Sequence, residues 1–235
     1  MSRVAVRTWL LHPLRGGRGG RGGRREDTAV ALFGERTRLR IQDWVMSGMD
    51  DLRPDTITRA RGNVLEVGFG TGRNLRHYPE GVDSVAALDP LATGGIRERI
   101  EQRISAVPFP VTQHRLRADG ELPFDDARFD TVVTTWTLCS IPDAASALRE
   151  MRRVLRPGGR YLFVEHGRSD SDRTARMQDR LNPLWRRLAD GCNLNRQIAD
   201  LVADSGFGPV QVERFRGKGP GVVASMYRGV AERIE

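Results

Sequence analysis

Residues 64–74 read Val-Leu-Glu-Val-Gly-Phe-Gly-Thr-Gly-Arg-Asn, and this stretch decides the fold. A short, mostly apolar strand leads into a turn with glycine at positions 68, 70 and 72, and a helical pattern follows from Leu75. Glycine lets the backbone come close to a bound ligand because it has no Cβ. The start of a helix offers free backbone N–H groups. The stretch therefore predicts a strand–turn–helix unit beside a ligand.

The spacing of the glycines separates two classes of ligand. Dinucleotide-binding proteins have the pattern G-x-G-x-x-G, whereas here the pattern is G-x-G-x-G and Arg73 stands where the third dinucleotide glycine would be. Glu66 lies at the end of the strand, where a carboxylate would repel a pyrophosphate and attract a cation. The segment thus favours a cationic ligand over a dinucleotide.

Polar residues also follow the next three predicted strands. Asp89 comes 17 residues after Gly72, where a carboxylate can accept hydrogen bonds from both hydroxyls of a ribose. Asp119 and Gly120 lie in the next loop, where a carboxylate or backbone group suits an adenine edge, and Thr135 begins a loop at the same sheet edge. Ligands of α/β sheets bind beyond the carboxyl ends of the strands, so we expect these residues around one site.

Strands and helices alternate along most of the chain, which predicts a parallel sheet covered on both faces. Residues 27–61 have a helical pattern, which Pro54 interrupts. The predicted strands are Val64–Val67, Ser84–Leu88, Val111–Leu116, Phe129–Thr135, Arg160–Glu165, Val210–Phe215 and Val222–Tyr227. The predicted helices begin at Leu75 or span Gly95–Ser105, Ala144–Leu155 and Arg196–Ala203.

The positive charge of the chain is concentrated near its start. The 235 residues have a net charge of +8, of which +7 falls within residues 1–40. Residues 15–25 read RGGRGGRGGRR and contain no apolar side chain to bury, so we predict a disordered Arg/Gly-rich basic tail over residues 1–26 and a domain over residues 27–235. The tail either binds phosphate backbones or is a solvated extension that comes from an upstream start codon. The near-neutral domain argues against a nucleic-acid partner.

Composition excludes other classes. No apolar run reaches the ~18 residues of a membrane-spanning helix, so we predict no transmembrane segment. The two cysteines, Cys139 and Cys192, are too few for a disulfide framework, which favours a reducing compartment and a cytoplasmic location. No cysteine–histidine pair has the spacing of metal ligands, so we predict no metal. The sequence leaves the oligomeric state open.

Five segments together resemble the class I S-adenosylmethionine-dependent methyltransferases, in the methyltransferase type 11 group and nearest to thiol S-methyltransferase-like proteins. They are VLEVGFGTGRNLRHYP, ALDP, ELPFDDARFDTVV, TLCSIPD and LREMRRVLRPGGRYLFVEHG. The resemblance implies a Rossmann-like doubly wound, mostly parallel seven-stranded sheet with helices on both faces and an antiparallel last strand. It also implies a methyltransferase with S-adenosyl-L-methionine as cofactor and an N-terminal helical cap.

The same resemblance implies roles for the residues at the strand ends. Glu66 would help to hold the methionine ammonium, Asp89 the ribose hydroxyls, and Asp119 with Gly120 the adenine, while Thr135 would lie near the methionine portion. The three glycines of the turn would let the backbone approach the cofactor.

The acceptor is a small molecule in this interpretation, and a thiol is the preferred class because its pKa near 8.5 makes a thiolate accessible without a strong base. His166, directly after the fifth strand, is the candidate general base or orienting group, and a structural hydrogen bond is the more common role of such a histidine. No other catalytic residue is assigned. Trp185, Cys192 and Asn193 are expected to shape the acceptor pocket, although a cysteine such as Cys192 is more often a small buried apolar residue.

Three alternatives remain open from the sequence. The chain is compatible with a C- or O-methyltransferase of a quinone, phenolic or lipophilic small molecule. Methylation of nucleic acid rests only on the basic tail. A regulatory protein that binds the cofactor without turnover belongs to a different class, and the intact glycine turn, Glu66 and Asp89 argue against it.

Overall fold

The computed structural model describes residues 43–90 and 97–235. Its seven strands form one sheet in the order β3-β2-β1-β4-β5-β7-β6. Strands β1 to β5 pair in parallel, and β7 runs antiparallel to both of its neighbours, β5 and β6. The predicted fold class, including the antiparallel last strand, is confirmed. The strands are β1 (Gly62–Val67), β2 (Val82–Leu88), β3 (Val111–His114), β4 (Phe129–Thr135), β5 (Leu155–His166), β6 (Val210–Arg216) and β7 (Ser225–Glu232).

Five α-helices lie wholly within the described part of the chain. They are α1 (Pro54–Ile57), α2 (Arg97–Ser105), α3 (Ala144–Val154), α4 (Asp172–Leu188) and α5 (Ile198–Ala203). The sequence analysis missed α4. The helix predicted from Leu75 is a single 3₁₀ turn, Leu75–His77, because Pro79 follows at once. Residues 43–47 are helical, and Pro54 begins α1 instead of only breaking a helix.

Apolar side chains cover both faces of the sheet. On β1, Leu65 belongs to one buried cluster and Val64 to the other, as the two-residue period of a strand requires. Helix α3 contributes Met151 to the first cluster, and α2 contributes Ile100 to the second. Burial on both faces explains why the parallel strands are almost continuously apolar.

The register brings four strand ends to one edge of the sheet. Val67 is level with Leu88 of β2 and with Thr134 of β4, and Thr135 is level with Val164 of β5. The strand order reverses between β1 and β4, which is the position where open α/β sheets bind ligands. Residues that directly follow β1, β2, β4 and β5 therefore surround one region.

Within the described residues, no helix has both the length and the apolar character needed to cross a membrane. Most of the predicted tail and helical cap lies in residues 1–42, outside the described part, as do residues 95 and 96 of a predicted helix. The domain division at residues 26 and 27 and the cytoplasmic location therefore stay predictions.

Candidate active site

Glu66 is the buried acid of the site. It lies one residue before the end of β1 with 1% of its surface exposed. Asn74 Nδ2 donates to Oε1 across 2.9 Å, and the hydroxyl of Tyr78 donates to Oε2 across 2.8 Å. Burial raises the pKa of Glu66 to about 7, although these hydrogen bonds and the charge of Arg53 act in the opposite direction. The carboxyl group is thus poised between its two protonation states near neutral pH.

Arg53 supplies the opposite charge. Its Nη1 donates to Oδ1 of Asn74 at 2.7 Å and to Oγ1 of Thr135 at 3.1 Å, and the residue is 3% exposed. Burial lowers the pKa of the guanidinium, and the carboxylate of Asp50 opposes that shift. Asn74 therefore connects the two charged groups. Its amide oxygen accepts from the guanidinium of Arg53, and its amide nitrogen donates to Glu66.

Sequence reasoning assigned no role to Arg53, Asn74 or Tyr78. Asn74 and Tyr78 lie in the segment GRNLRHYP. Both hold Glu66 at the end of β1 by hydrogen bonds, and the sequence does not reveal these contacts. Arg53 precedes α1 and reaches Thr135 over a separation of 82 residues, so no local pattern signals it.

The glycines of the turn have different surroundings. Gly68 has φ +80°, and a Cβ there would come within 1.9 Å of Oγ1 of Thr137, so the chain's own packing requires a glycine. A Cβ at position 72 would meet the ring of Phe69 at 2.8 Å. Gly70 has φ +54° and no atom within 4 Å of an added Cβ, so it alone of the three borders open space.

Asp89 follows β2 and lies against this turn. The backbone N–H of Gly70 donates to Oδ2 of Asp89 at 2.7 Å. Asp119 is farther along the same edge, after β3, where its carboxylate pairs with exposed Arg117 at 3.1 Å. The neighbouring Gly120 is exposed, and an added Cβ would meet no atom within 4 Å. Asp89 and Asp119, predicted to bind ribose and adenine, thus both follow a strand. Each lies near a glycine, Gly70 or Gly120, that borders open space.

Arg73, at the position of the third dinucleotide glycine, anchors the segment before α1. It donates from Nε to Oδ1 of Asp43 at 2.9 Å and from Nη1 to Oδ2 of Asp50 at 2.7 Å. Burial would raise the pKa of Asp43, but hydrogen bonds from Thr71, Arg73 and Arg99 lower it to about 2. The arginine that breaks the dinucleotide pattern therefore has a structural partner.

Glu165 and His166 end β5 on the other side of the site. The buried carboxylate of Glu165 accepts hydrogen bonds from the backbone N–H groups of Thr137, Leu138 and Cys139 at 3.1, 2.9 and 3.3 Å. Burial raises the pKa of Glu165, and these donors oppose the shift. The acid fixes the turn that follows β4.

His166 contacts a pair of cysteines. Its Nδ1 lies 3.3 Å from Sγ of Cys192, whose sulfur is 3.5 Å from Sγ of Cys139. His166 is 5% exposed, and its Nε2 is buried with no hydrogen-bond partner among the described residues. The three residues come from separate segments, so the spacing argument that predicted no metal does not apply to them.

Asn193 and Trp185, also predicted to line the acceptor pocket, lie next to Cys139 and Cys192. Asn193 Nδ2 donates to the carbonyl oxygen of Cys139 at 2.8 Å, which ties the loop after α4 to the loop after β4. The indole N–H of Trp185, on α4, is buried without a hydrogen-bond partner among the described residues, although its proximity helps to lower the pKa of Cys192. The structure therefore places Trp185, Cys192 and Asn193 beside or against the His166 end of the site.

Trp136 follows Thr135 with φ +51°, a left-handed conformation that is rare for a large side chain. Its indole ring lies 4.8 Å from the guanidinium carbon of Arg53, within the range of a cation–π interaction. Strained residues of this kind concentrate at functional sites. In the sequence, Trp136 lies between Thr135, which accepts a hydrogen bond from Arg53, and Cys139, which contacts Cys192.

Comparisons with known proteins agree with this geometry. The sequence of residues 65–163 matches a protein family described as a methyltransferase domain. Human thiol S-methyltransferase TMT1B is 36% identical over 168 residues, which cover 67% of this chain and 66% of that protein. The chain belongs to the class I S-adenosylmethionine-dependent methyltransferases. The resemblance seen in the sequence motifs is confirmed.

Two further similarities are with a curated relative and with a solved structure. The ubiquinone/menaquinone biosynthesis C-methyltransferase UbiE of Ectopseudomonas mendocina is 28% identical over 196 residues, 73% of each chain. A S-adenosylmethionine-dependent methyltransferase from Thermotoga maritima has the same fold, with a TM-score of 0.59 over 85% of this chain and 97% of that one at 19% identity. The alignment with TMT1B spans just under two thirds of that relative, so the acceptor does not follow from the family alone.

The residues of this methyltransferase fit S-adenosylmethionine, its cofactor. Gly70 leaves space that a Cβ would fill, next to the carboxylate of Asp89. Glu66 offers negative charge at the end of β1, which suits a ligand that carries a sulfonium and an ammonium group. The individual assignments of Glu66, Asp89 and Asp119 to parts of the cofactor are proposals.

Proposed function

We propose that the protein transfers the methyl group of S-adenosylmethionine to the sulfur of a small-molecule thiol. The observation that carries this proposal is the similarity to human thiol S-methyltransferase TMT1B, at 36% identity over 67% of this chain. The cofactor supplies an activated methyl group on a sulfonium centre. The protein has to align the acceptor with that carbon for in-line displacement, and positioning of this kind accounts for ~7–11 kcal/mol of a barrier.

The two ends of the site have separate tasks in this proposal. At the β1 and β2 ends, Glu66 attracts the ammonium group, Asp89 accepts the ribose hydroxyls, and Gly70 admits the cofactor to the backbone. Arg53 and Asn74 keep Glu66 in place through hydrogen bonds of 2.7 and 2.9 Å in series. At the β4 and β5 ends, His166 and the cysteines meet the acceptor.

Among the described residues of the site, the available base is weak, and a thiol is an acceptor that needs only a weak base. Glu165 is engaged by three backbone N–H groups, and both oxygens of Glu66 accept hydrogen bonds. His166 remains with an unpartnered Nε2 among the described residues. A thiol with a pKa near 8.5 needs only a weak base such as imidazole, whereas an aliphatic hydroxyl needs a stronger one.

The test is a methyl-transfer screen that offers matched thiols, phenols and quinols to the full chain with labelled S-adenosylmethionine. We expect S-adenosylhomocysteine and a methyl thioether in equal amounts with thiols, and much less product from the phenol of the same skeleton. Transfer to phenols or quinols alone would contradict the thiol assignment.

A C- or O-methyltransferase of a quinone or phenolic compound is the second candidate, favoured by the 28% identity with UbiE over 73% of both chains. The same screen distinguishes the two because the products differ in the methylated atom. A cofactor-binding protein without turnover would bind S-adenosylhomocysteine in a calorimeter and form no product with any acceptor. Membrane and nucleic-acid partners are not part of this proposal.

A further inference from the structure

Cys139, His166 and Cys192 form a compact group of donor atoms at the ends of β4 and β5. The two sulfurs are 3.5 Å apart, and Cys192 Sγ is 3.3 Å from His166 Nδ1. One ligand atom from each residue lies within 4.8 Å of the others. These are two soft thiols and an imidazole, the donors that proteins use for zinc and similar cations.

Two of the three donor–donor distances are close to those around one tetrahedral ion, and the third pair, Cys139 and His166, lies within 4.8 Å. With Zn–S of ~2.3 Å and Zn–N of ~2.0–2.1 Å, the edges of a tetrahedral site are about 3.8 Å between sulfurs and about 3.5 Å between sulfur and nitrogen. The observed separations of 3.5 and 3.3 Å are shorter by only a few tenths of an ångström. Binding the ion would widen these two separations slightly and bring Cys139 Sγ and the His166 imidazole closer together.

The backbone that carries the donors is held from several sides. Glu165 fixes the turn with Cys139, and Asn193 donates to the carbonyl oxygen of that same residue at 2.8 Å. Arg196 Nη1 donates to the carbonyl oxygens of Leu138 and Ile141 at 2.5 and 2.6 Å. Contacts of this outer shell orient ligands and are a regular part of metal sites.

The charges around the cluster favour a thiolate. The nearby guanidinium of Arg196 interacts with both sulfurs. The thiolate is the form of cysteine that binds metal ions.

We propose that Cys139, His166 and Cys192 bind one thiophilic divalent cation, Zn²⁺ being the expected ion, and leave its fourth position open. Three protein ligands with an open position are the arrangement of catalytic rather than structural zinc sites. Cys139 and His166 are 1% and 5% exposed and Cys192 is more exposed, so access is from the Cys192 side.

The occupant of the fourth position rests on the proposed function. A thiol that coordinates the ion binds as thiolate and releases its proton to the buffer. Its sulfur then forms the bond to the methyl carbon while the bond from that carbon to the cofactor sulfonium breaks, and the products are a thioether and S-adenosylhomocysteine. The ion would thus replace a general base for the acceptor.

Metal binding is tested on the reduced full chain after treatment with a chelator. Titration with Co²⁺ is expected to give one ion per chain, with thiolate-to-cobalt charge-transfer absorption and the visible bands of a tetrahedral site, which Zn²⁺ then displaces. Changing an outer-shell residue costs about 10–100-fold in metal affinity. We expect Cys139→Ser, Cys192→Ser and His166→Gln each to weaken binding by at least that much.

The matched control is His114→Gln, which changes a histidine outside the cluster and should leave Co²⁺ binding unchanged. Equal binding by the Cys192→Ser variant, or no thiolate absorption from folded wild-type protein, would overturn the proposal. A second measurement needs no variant. Cys192 is the more exposed of the two cysteines, so Zn²⁺ should slow its alkylation by iodoacetamide, and an unchanged rate argues against the site.

The fourth position is tested without S-adenosylmethionine. A small thiol added to the Co²⁺-loaded protein should increase the charge-transfer absorption, and the matching alcohol should not. If this occurs but the methyl-transfer screen gives no product, the metal site stands and the proposed function fails. If thiols are methylated but leave the spectrum unchanged, the function stands and the open position for the acceptor is wrong.

Discussion

The backbone N–H of Gly70 donates a hydrogen bond of 2.7 Å to Oδ2 of Asp89. This contact joins the glycine turn after β1 to the residue after β2, across the two strands that pair from Gly62 to Val67. It holds one oxygen of the carboxylate against the turn. The orientation of Asp89 is therefore set by the same backbone that borders the open space at Gly70.

Replacing Asp89 by alanine is expected to weaken the binding of S-adenosylhomocysteine by about 10–100-fold, because hydrogen bonds to a charged group contribute ~1.5–3 kcal/mol. Isothermal titration calorimetry measures the affinity. Asp83→Ala removes an exposed acid from the same strand and is the matched control. Equal affinities of the two folded variants would remove Asp89 from the cofactor site.

Glu66 should make the protein less stable as the pH rises. Its pKa is about 7 in the folded protein against a usual value of 4.5, so the folded state binds more protons between these values. The contribution of Glu66 to the free energy of unfolding is then fully present below pH 4.5 and is lost as the pH rises through about 7. The full change corresponds to about 3 kcal/mol.

Urea unfolding at pH 5 and pH 8 measures this effect in wild type and in Glu66→Gln. The glutamine variant keeps the size and the hydrogen-bonding oxygen of the side chain but does not titrate. We expect wild type to lose more unfolding free energy than the variant between the two pH values. The same loss in both proteins would show that Glu66 is ionised throughout.

Arg53 should matter more for stability than an exposed arginine nearby. Arg53→Ala removes the donor to the amide oxygen of Asn74, the positive charge that acts on buried Glu66, and the ion pair of 3.1 Å with Asp50. Loss of one member of a buried charge pair costs about 3–5 kcal/mol. Arg59→Ala, at an exposed position, should change the unfolding free energy by less than about 0.5 kcal/mol. Similar effects of the two substitutions in chemical unfolding would refute the buried network.

The sequence predicted the sheet well because its signals are local. Alternation of apolar strands with helices indicated seven strands, and the strand from Phe129 to Thr135 has the predicted bounds. Helix α4 was missed although Met177, Leu181, Leu184 and Leu188 recur along it at helical spacing. Pro183 lies inside it, and a proline is a signal against a helix interior. Strand β5 begins at Leu155, which was predicted to be the last residue of a helix, and not at Arg160.

Site residues could be predicted from the sequence only where a single polar residue at the end of a predicted strand suggests a contact with the ligand. Glu66 and Asp89 lie at the strand ends where the sequence placed them, and their roles toward the cofactor stay proposals. Contacts between distant segments leave no local pattern: Cys139 and Cys192 are 53 residues apart along the chain. Their meeting with His166 depends on how the loops after β4 and α4 pack, which spacing along the sequence does not encode.

Two glycines of the turn should separate stability from cofactor binding. An alanine at Gly68 would place its Cβ 1.9 Å from Thr137 Oγ1, so Gly68→Ala should lower the unfolding free energy strongly. At Gly70 the added Cβ meets no atom within 4 Å, and the cost is mainly the ~1–2 kcal/mol of a left-handed backbone.

The methyl of Gly70→Ala enters the space that we assign to the cofactor. Gly70→Ala should therefore lose much of its affinity for S-adenosylhomocysteine while its unfolding free energy falls only modestly. Gly68→Ala should instead show a large fall in its unfolding midpoint. Urea unfolding and calorimetry on the same two preparations give both quantities. A folded Gly70→Ala protein with wild-type affinity would mean that the cofactor does not approach the backbone at this turn, because a side chain there would otherwise occupy its place.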